Sequence, residues 1–255
     1  MLTSAQKIQV RNLVNYSLDK AENHWKNGAY QLFEGRSISF ESYNKSMDSE
    51  PSKIPGHSVV HDDVTVIDEF IAYVADMRDS SKHLMCEISA KNSKVSRLQR
   101  VFYETSALLP ALALTINFNN GKVTEYLGDG VLALFKVDPE DKSKAIYAAH
   151  EAAKNAVGQT RDIVNEILEE RYSLPKIDLG VGLAMSKALI TLVGLEGEKH
   201  PKAFGECVFR ATKLSGGRNQ IITDEIVKST WPTVKGGTLV FRQKRIKEIS
   251  GYLIM

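Results

Sequence analysis

The segment of residues 122–135 limits the fold most strongly, because it contains two short strands joined by a very tight turn. Its sequence is Lys-Val-Thr-Glu-Tyr-Leu-Gly-Asp-Gly-Val-Leu-Ala-Leu-Phe, with Gly128 and Gly130 on either side of Asp129. Asp-Gly between two apolar runs is a strong local signal for a β-hairpin. The sequence therefore predicts a hairpin that holds the Asp129 carboxylate at its turn, where the residue is either a simple turn former or a functional acid.

Length and composition are typical of a globular protein. The chain has 255 residues, of which 43% are hydrophobic and 25% charged, so one large domain or a medium domain with an appendage can bury a core. The formal net charge of +2 predicts neither a nucleic-acid partner nor a polybasic membrane anchor. The longest apolar run, residues 106–116, is too short to span a bilayer, and we expect a cytoplasmic protein.

The N-terminal quarter of the sequence predicts a helix followed by a linker. Residues 3–27 are rich in helix formers, with apolar residues near helical spacing at Ile8, Leu13, Tyr16, Ala21 and Trp25. Residues 34–61 are polar and contain two prolines that oppose regular structure. We therefore divide the chain into an N-terminal helix and polar linker (1–62) and a main domain (63–255).

A second acid ends an apolar run in the main domain. Residues 67–77 predict a buried strand that carries Asp76 at its C-terminal edge. The loop that follows contains Arg78, Asp79, Ser80 and Ser81 and leads into a predicted helix. Backbone N–H groups in such a loop favour phosphate binding.

The rest of the main domain alternates between helical and strand patterns. Helices are predicted at 94–117, 141–171, 205–215 and 225–230, and strands at 177–184, 188–193, 219–223 and in the C-terminal tail. The alternation, with a hairpin in its middle, predicts an α+β fold, an α/β sandwich in which helices cover one sheet. Cys86 and Cys207 lie far apart without metal-ligand spacing and are predicted to be buried thiols.

Three segments resemble the class III nucleotidyl cyclases, the adenylyl and guanylyl cyclase family. They are the strand of residues 70–77, the hairpin of residues 125–135, and the late motifs at 180–184, 193–194 and 204–214. The resemblance covers roughly residues 64–250. It implies a ferredoxin-like central sheet covered by helices, and an enzyme that converts a nucleoside triphosphate to its 3′,5′-cyclic monophosphate and pyrophosphate.

The resemblance also implies a metal site. In the family, two acids equivalent to Asp76 and Asp129 hold two Mg²⁺ or Mn²⁺ ions, and Met77 lies in the same site. Two divalent ions about 3.5–4 Å apart deprotonate the attacking hydroxyl and neutralise the phosphoryl oxygens. Carboxylate oxygens are the ligands that such hard cations prefer. The loop residues Arg78 to Ser81 are expected to contact the substrate phosphates.

The active-site helix departs from the family pattern. Phe209 and Lys213 occupy the positions where the family has an Asn that orients the ribose and an Arg that stabilises the transition state. Lys213 keeps the positive charge but not the planar fork of arginine. Arg210 is a candidate for the missing role, although Arg210 and Lys213 also fit a solvated helix face. The departures leave open a catalytically inactive cyclase-like module that binds nucleotide.

Two further positions concern the choice of base. Family members read the base at the positions of Glu125 and Lys202, where adenylyl cyclases have Lys and Asp or Thr, and guanylyl cyclases have Glu and Cys. A carboxylate accepts a hydrogen bond from the ring N–H of uracil or guanine and disfavours adenine. The cytosine amino group is also a suitable donor.

Aromatic residues favour a small base. Tyr126, Phe204 and Phe209 are predicted to shorten the base pocket, although alternation along the strand equally allows Tyr126 to face the core. We therefore rank UTP first, CTP second and GTP third. The chain is also similar to the pyrimidine cyclases of bacterial Pycsar anti-phage systems, which make cUMP or cCMP.

The family resemblance implies a homodimer with two sites at its interface. Each site would combine Asp76 and Asp129 of one chain with the partner subunit's Lys213. No nucleic-acid or membrane partner is expected. A purely structural interaction protein is the remaining alternative, and it would form a dimer without triphosphate chemistry.

Overall fold

The computed structural model describes residues 1–33, 49–62, 64–81, 95–233 and 236–255. Its helices are α1 (Ser4–Phe33), α2 (Arg97–Asn117), α3 (Lys142–Asn155), α4 (Arg161–Tyr172), α5 (Glu206–Leu214) and α6 (Glu225–Thr230). Its strands are β1 (Ser49–Ile54), β2 (His57–His61), β3 (Val66–Met77), β4 (Lys122–Leu127), β5 (Gly130–Lys136), β6 (Leu179–Val193), β7 (His200–Gly205), β8 (Gln220–Thr223), β9 (Phe241–Ile246) and β10 (Ile249–Ile254).

β3 lies inside the main sheet because it is apolar on both faces. Every residue from Phe70 to Ala75 is buried. The described strands are ordered β4-β5-β3-β6-β8-β10-β9, and β7 pairs with the last part of β6. β6 and β8 are parallel, whereas the other pairs in this sheet are antiparallel. The predicted fold class, a sheet covered by helices in a mixed α+β arrangement, is confirmed.

The two faces of the sheet bury different partners. Ile71, Tyr73 and Ala75 belong to the larger core cluster, which they share with residues of α2, α3 and α4. The alternate residues Phe70, Ala72 and Val74 belong to a smaller cluster on the other face. There they pack with Cys207 and Ala211 of α5 and with Ile54 and Val60 of the β1–β2 hairpin.

Two glycines of β6 allow α5 to lie directly on the sheet. A Cβ atom on Gly180 would lie 1.9 Å from the carbonyl oxygen of Ser215, and one on Gly182 would lie 2.0 Å from that of Ala211. Both oxygens belong to the backbone of α5 or the residue that follows it. Because Gly180 pairs with Asp76 in the adjacent strand, the close approach brings the end of α5 to the acid-bearing edge of the sheet.

The N-terminal helix packs on the outer helical layer. Val10, Val14 and Leu18 of α1 are fully buried, and α1 contacts α2 and α4. Arg171 bonds to Asn15, Asp19 and Glu22, and the Tyr172 hydroxyl donates to Glu22 over 2.6 Å. The predicted apolar side is only partly correct: Ala21 is buried, but Ile8 and Tyr16 are more than half exposed.

The linker prediction is wrong for residues 49–61, which form the β1–β2 hairpin. β1 and β2 pair antiparallel around a turn at Pro55 and Gly56, where Gly56 has φ +82°. Ile54 and Val60 anchor the hairpin because both are buried on the sheet. Residues 34–48 lie outside the described residues, and the domain boundary at 62/63 stays a prediction.

Two other element predictions need correction. The strands predicted at 177–184 and 188–193 are one strand, β6, because its ladder with β3 continues without interruption through Met185, Ser186 and Lys187. The helix predicted at 141–171 is divided into α3 and α4 by a π-helical turn over Ala156–Thr160, where Gly158 has a non-helical backbone. The predicted hairpin and the other predicted helices and strands within the described residues are confirmed with small shifts of their ends.

Candidate active site

The two predicted metal acids lie at one edge of the main sheet. Asp76 is the second-last residue of β3 and pairs with Gly130, the first residue of β5. The backbone N–H of Met77 donates to the carbonyl oxygen of Asp129 over 3.2 Å. Gly128 permits the turn because its φ is +54°. A strand end and a hairpin turn therefore bring the two carboxylates together.

The electrostatics of Asp76 indicate a site that attracts a cation. Burial raises the pKa of the Asp76 carboxyl above its ordinary value, the negative charge of Asp129 raises it further, and Arg78 opposes both effects. An added divalent cation would relieve the repulsion between the two carboxylates. Their hard oxygen atoms suit Mg²⁺ or Mn²⁺, so this donor set fits the implied metals.

The protein contributes few metal ligands here. Among the residues that the structure describes, no group of three or more His, Cys, Asp or Glu side chains could hold a metal ion. Mg²⁺ usually keeps several waters and is held by one or two carboxylates plus substrate phosphates. Two aspartates are therefore a sufficient protein contribution for ions that arrive with a triphosphate.

Arg78 connects Asp76 to the end of α5. Its Nη1 atom lies 2.9 Å from Oδ2 of Asp76 and donates to the Ser215 carbonyl over 3.0 Å. Its backbone N–H donates to the carbonyl of Asp178 over 2.8 Å. The guanidinium therefore lies beside Asp76 and ties the acid to the residue that follows α5.

The remaining residues of the predicted phosphate loop are placed beyond Arg78. Asp79 has φ +58° and forms an ion pair with Arg218, which also pairs with Asp178. Ser80 and Ser81 begin a helical turn, and the helix predicted to follow lies outside the described residues. The phosphate-binding role of these residues stays a prediction.

The structure brings the two predicted base-reading residues together. Nζ of Lys202 lies 2.9 Å from Oε1 of Glu125, and both side chains are about one-third exposed. Their strands, β7 and β4, are not neighbours in the main sheet, so the two side chains meet through tertiary packing rather than strand pairing. β1 packs against both strands and supports this arrangement. Phe204 shares the Lys202 face of β7 and is half exposed.

Tyr126 does not share the Glu125 side of β4. Glu125 pairs with Leu132, which faces the smaller core cluster, whereas Tyr126 pairs with Val131, which faces the larger one. Side chains of successive strand residues point to opposite faces. The predicted placement of Tyr126 in one pocket with Glu125 therefore needs correction, and Tyr126 instead lines a cavity beside β4.

The predicted residues Phe209 and Lys213 lie on the exposed side of α5. Cys207, Ala211 and Leu214 form the buried side of the helix, and Phe209 is 63% exposed. Lys213 Nζ lies 5.5 Å from the centre of the Phe209 ring. Arg210 pairs with Glu206 one turn earlier, with Nε 2.7 Å from Oε1.

Other features of the site region were not expected from the sequence. Asp224 is buried, accepts from the backbone N–H of Val227 as the N-cap of α6, and accepts from that of Met185. Burial raises its pKa to about 6. The predicted buried thiol is confirmed for Cys207, whose pKa burial raises, while Cys86 lies outside the described residues. The N-cap role of Asp224 could have been predicted from the sequence, because this Asp directly precedes the predicted helix at 225–230.

Comparison with solved structures identifies the fold. An adenylyl cyclase, CyaB from P. aeruginosa, matches with a TM-score of 0.58 and 15% identity, over 75% of this chain and 96% of that one. The guanylyl cyclase Cya2 matches with a TM-score of 0.55 and 15% identity, over 74% and 92% of the two chains. The chain has the class III cyclase-like fold.

A third structure has the same fold. It is the non-canonical dimeric guanylyl cyclase domain of the RhoGC fusion protein from the aquatic fungus Blastocladiella emersonii, with a TM-score of 0.51 and 12% identity over 75% of this chain and 96% of that one. No family model matches the sequence, and no curated protein matches it. Within the described residues, no helix is long and apolar enough to cross a membrane.

Proposed function

We propose that the protein is a two-metal nucleotidyl cyclase that converts UTP to cUMP and pyrophosphate. One observation carries the proposal: Asp76 and Asp129 meet at a strand end and a hairpin turn, in the fold of solved adenylyl and guanylyl cyclases. The raised pKa of Asp76 supports it, because two crowded carboxylates bind divalent ions readily. We propose that the cUMP is a second messenger in bacterial anti-phage defence, as in the Pycsar cyclases that the sequence resembles.

The proposed reaction is attack of the ribose 3′ oxygen on the α-phosphorus, which forms the cyclic ester, breaks the bond to the oxygen that bridges the α- and β-phosphates, releases pyrophosphate and passes the 3′ proton to solvent. Two Mg²⁺ or Mn²⁺ ions, when bound, would supply the positive charge that lowers the pKa of the hydroxyl and stabilises the phosphoryl oxygens. Asp76, Asp129 and Met77 are the residues that would hold them. Arg78 keeps Asp76 oriented and provides a positive charge near the phosphates, and Arg78 to Ser81 are the proposed phosphate loop.

The Glu125–Lys202 pair is the proposed reader of the base. The uracil ring N–H donates to Glu125, and the adjacent uracil carbonyl accepts from Lys202, so the ligand replaces the existing ion pair with two hydrogen bonds. Half-exposed Phe204, on the Lys202 face of β7, supplies an apolar wall. CTP and then GTP are the weaker candidates. Adenine presents an acceptor to Glu125 and is disfavoured.

We propose that two chains form two shared sites. Phe209 and Lys213 lie on the exposed side of α5, where a second chain could contact them. One similar guanylyl cyclase domain forms a non-canonical dimer, which supports self-association in this fold but not the shared sites themselves. Mixing an Asp129→Ala chain with a Lys213→Ala chain should restore part of the activity, because one site of each heterodimer is intact. No recovery in the mixture would argue against shared sites.

The direct test is a product assay with each of the four triphosphates, in Mg²⁺ and in Mn²⁺, with products identified by mass. We expect cUMP from UTP with the unchanged protein, and at least about a thousandfold loss with Asp76→Asn or Asp129→Asn. Asp162→Asn, at an exposed site on α4, is the matched control and should keep full turnover. Near-native turnover by both acid variants would remove the metal assignment, and dominant cAMP or cGMP would remove the pyrimidine assignment.

A catalytically inactive nucleotide-binding module is the second candidate. It is favoured by Phe209, whose ring provides no hydrogen bond to a ribose, and by Arg210, which pairs with Glu206. This candidate predicts that UTP binds with an affinity that depends on Glu125 while no triphosphate is consumed.

A further inference from the structure

A cavity of about 630 Å³ lies beside β4 and is distinct from the acid-bearing edge. Its walls come from the turn of the β1–β2 hairpin, the last turns of α2, and the β4 residues Lys122, Val123 and Tyr126. Its volume lies within the range of pockets that hold small organic ligands. The proposed cyclase reaction uses none of these residues.

The lining is basic and carries an exposed aromatic ring. Lys53 and Lys122 both border the cavity, and among the described residues neither forms an ion pair. Tyr126 is 53% exposed, so its ring is available for stacking. The hydroxyl of Ser58 and the side chain of Asn117 add polar groups. Among the residues that the structure describes, no acidic residue lines the cavity, so anions are favoured.

The hairpin wall of the cavity is held in place. Lys136 packs against Gly56 and forms an ion pair with Asp68, with Nζ 2.6 Å from Oδ2. Nε2 of His57 lies 3.0 Å from the same oxygen. Ile54, which lies between Lys53 and Pro55 in this wall, is buried in the smaller core cluster. The cavity is therefore formed before a ligand arrives, which lowers the entropy cost of binding.

We propose that this cavity binds a mononucleotide, with the base stacked on Tyr126 and the phosphate between Lys53 and Lys122. Two ammonium groups that pair with no acid in the described part of the chain match one phosphate dianion. A triphosphate fits less well, because it brings a divalent ion and the described lining has no carboxylate to hold one. The inference goes beyond the proposed cyclase activity and does not depend on it. Tyr126 directly follows Glu125, so this ligand would contact the strand that reads the substrate base.

The test is isothermal titration of the full chain with UMP in EDTA, so that no metal bridges phosphate to the acids. We expect one strong site per chain that Lys53→Gln/Lys122→Gln weakens at least about tenfold. Tyr126→Leu should weaken it at least about fivefold, because base stacking is lost. Uridine alone and inorganic phosphate alone should each bind at least about tenfold more weakly than UMP.

Matched controls separate this site from the proposed base pocket. Lys144→Gln/Lys154→Gln removes two exposed lysines elsewhere, and Glu125→Gln alters the other face of β4; both should leave UMP affinity within about twofold. Ser58→Trp, which fills the cavity from an exposed position of β2, should abolish binding while the melting temperature stays unchanged. Absence of UMP binding would overturn the proposal. So would binding that Glu125→Gln removes and the cavity variants leave unchanged.

Discussion

Adding one methyl group at Gly182 should disturb the proposed active site without touching substrate. Its Cβ would lie 2.0 Å from the Ala211 carbonyl oxygen and 2.7 Å from the Ser215 nitrogen, both in the α5 backbone or its end. Non-bonded carbon and oxygen atoms require more than about 3 Å, so α5 must move by about 1 Å. Neither atom is at the end of a flexible side chain, so the helix itself has to shift.

The expected cost of Gly182→Ala follows from this displacement. Inserting a methyl group into a well-packed region destabilises a protein by about 1–3 kcal/mol, and the rigid neighbours place this variant near the upper value. A 1 Å displacement of the helix that carries Phe209 and Lys213 should also lower turnover by about a hundredfold. Equilibrium unfolding in urea measures the first effect, and the four-triphosphate product assay measures the second.

Gly28→Ala is the matched control. Gly28 lies in α1, and a Cβ there meets no atom within 4 Å. Because Ala is a better helix former than Gly, this variant should stabilise the protein by about 0.5–1 kcal/mol. The same change from Gly to Ala should therefore lower the stability of the protein at position 182 and raise it at position 28. If Gly182→Ala keeps its stability within about 0.5 kcal/mol, α5 does not rest on β6 as described.

Three further perturbations test other parts of the structure. Burial raises the pKa of Asp224 to about 6, so the folded chain keeps a proton that the unfolded chain loses near pH 4. The free energy of unfolding should therefore fall by about 3 kcal/mol as the pH rises between these values. Urea unfolding at pH 4 and pH 7 measures this fall, and the Asp224→Asn variant should not show it. Arg78→Met should raise the pKa of Asp76, so the acid limb of the kcat/KM profile should move to higher pH; an unmoved limb contradicts the pairing. Ile54→Ala should destabilise the fold by about 2–4 kcal/mol in urea unfolding, and no loss would mean that the hairpin is not packed on the sheet.

The sequence predicted correctly those features of the structure that depend on a short local pattern. A strand end and an Asp-Gly turn are short patterns, so Asp76 and Asp129 were placed correctly relative to the elements that carry them. The hairpin over residues 49–61 escaped prediction because Ile54 and Val60 are its only buried apolar side chains among those described, and a polar segment with two such residues has no clear periodicity. Its order comes from tertiary packing on the main sheet.

Positions that depend on a partner surface were harder to predict. α1 has apolar residues on more than one side, and the sequence does not indicate which side meets α2 and α4. The structure buries Val10 and Leu18 and exposes Ile8 and Tyr16. The side of β4 on which Tyr126 lies has a similar cause, because it depends on the register between β4 and β5. In this register Glu125 pairs with Leu132 and Tyr126 pairs with Val131.

The attachment of α1 has a consequence for how the chain folds during synthesis. Glu22 bonds to Tyr172, which lies 150 residues later, so the helix leaves the ribosome long before its partners exist. At about 5–20 residues per second, the delay is roughly 8–30 s. During that interval Val10, Val14 and Leu18 are exposed, and the contact closes a very long loop. Docking of α1 is therefore expected to be a late event, and the unfinished chain is most vulnerable to aggregation until α4 has been made.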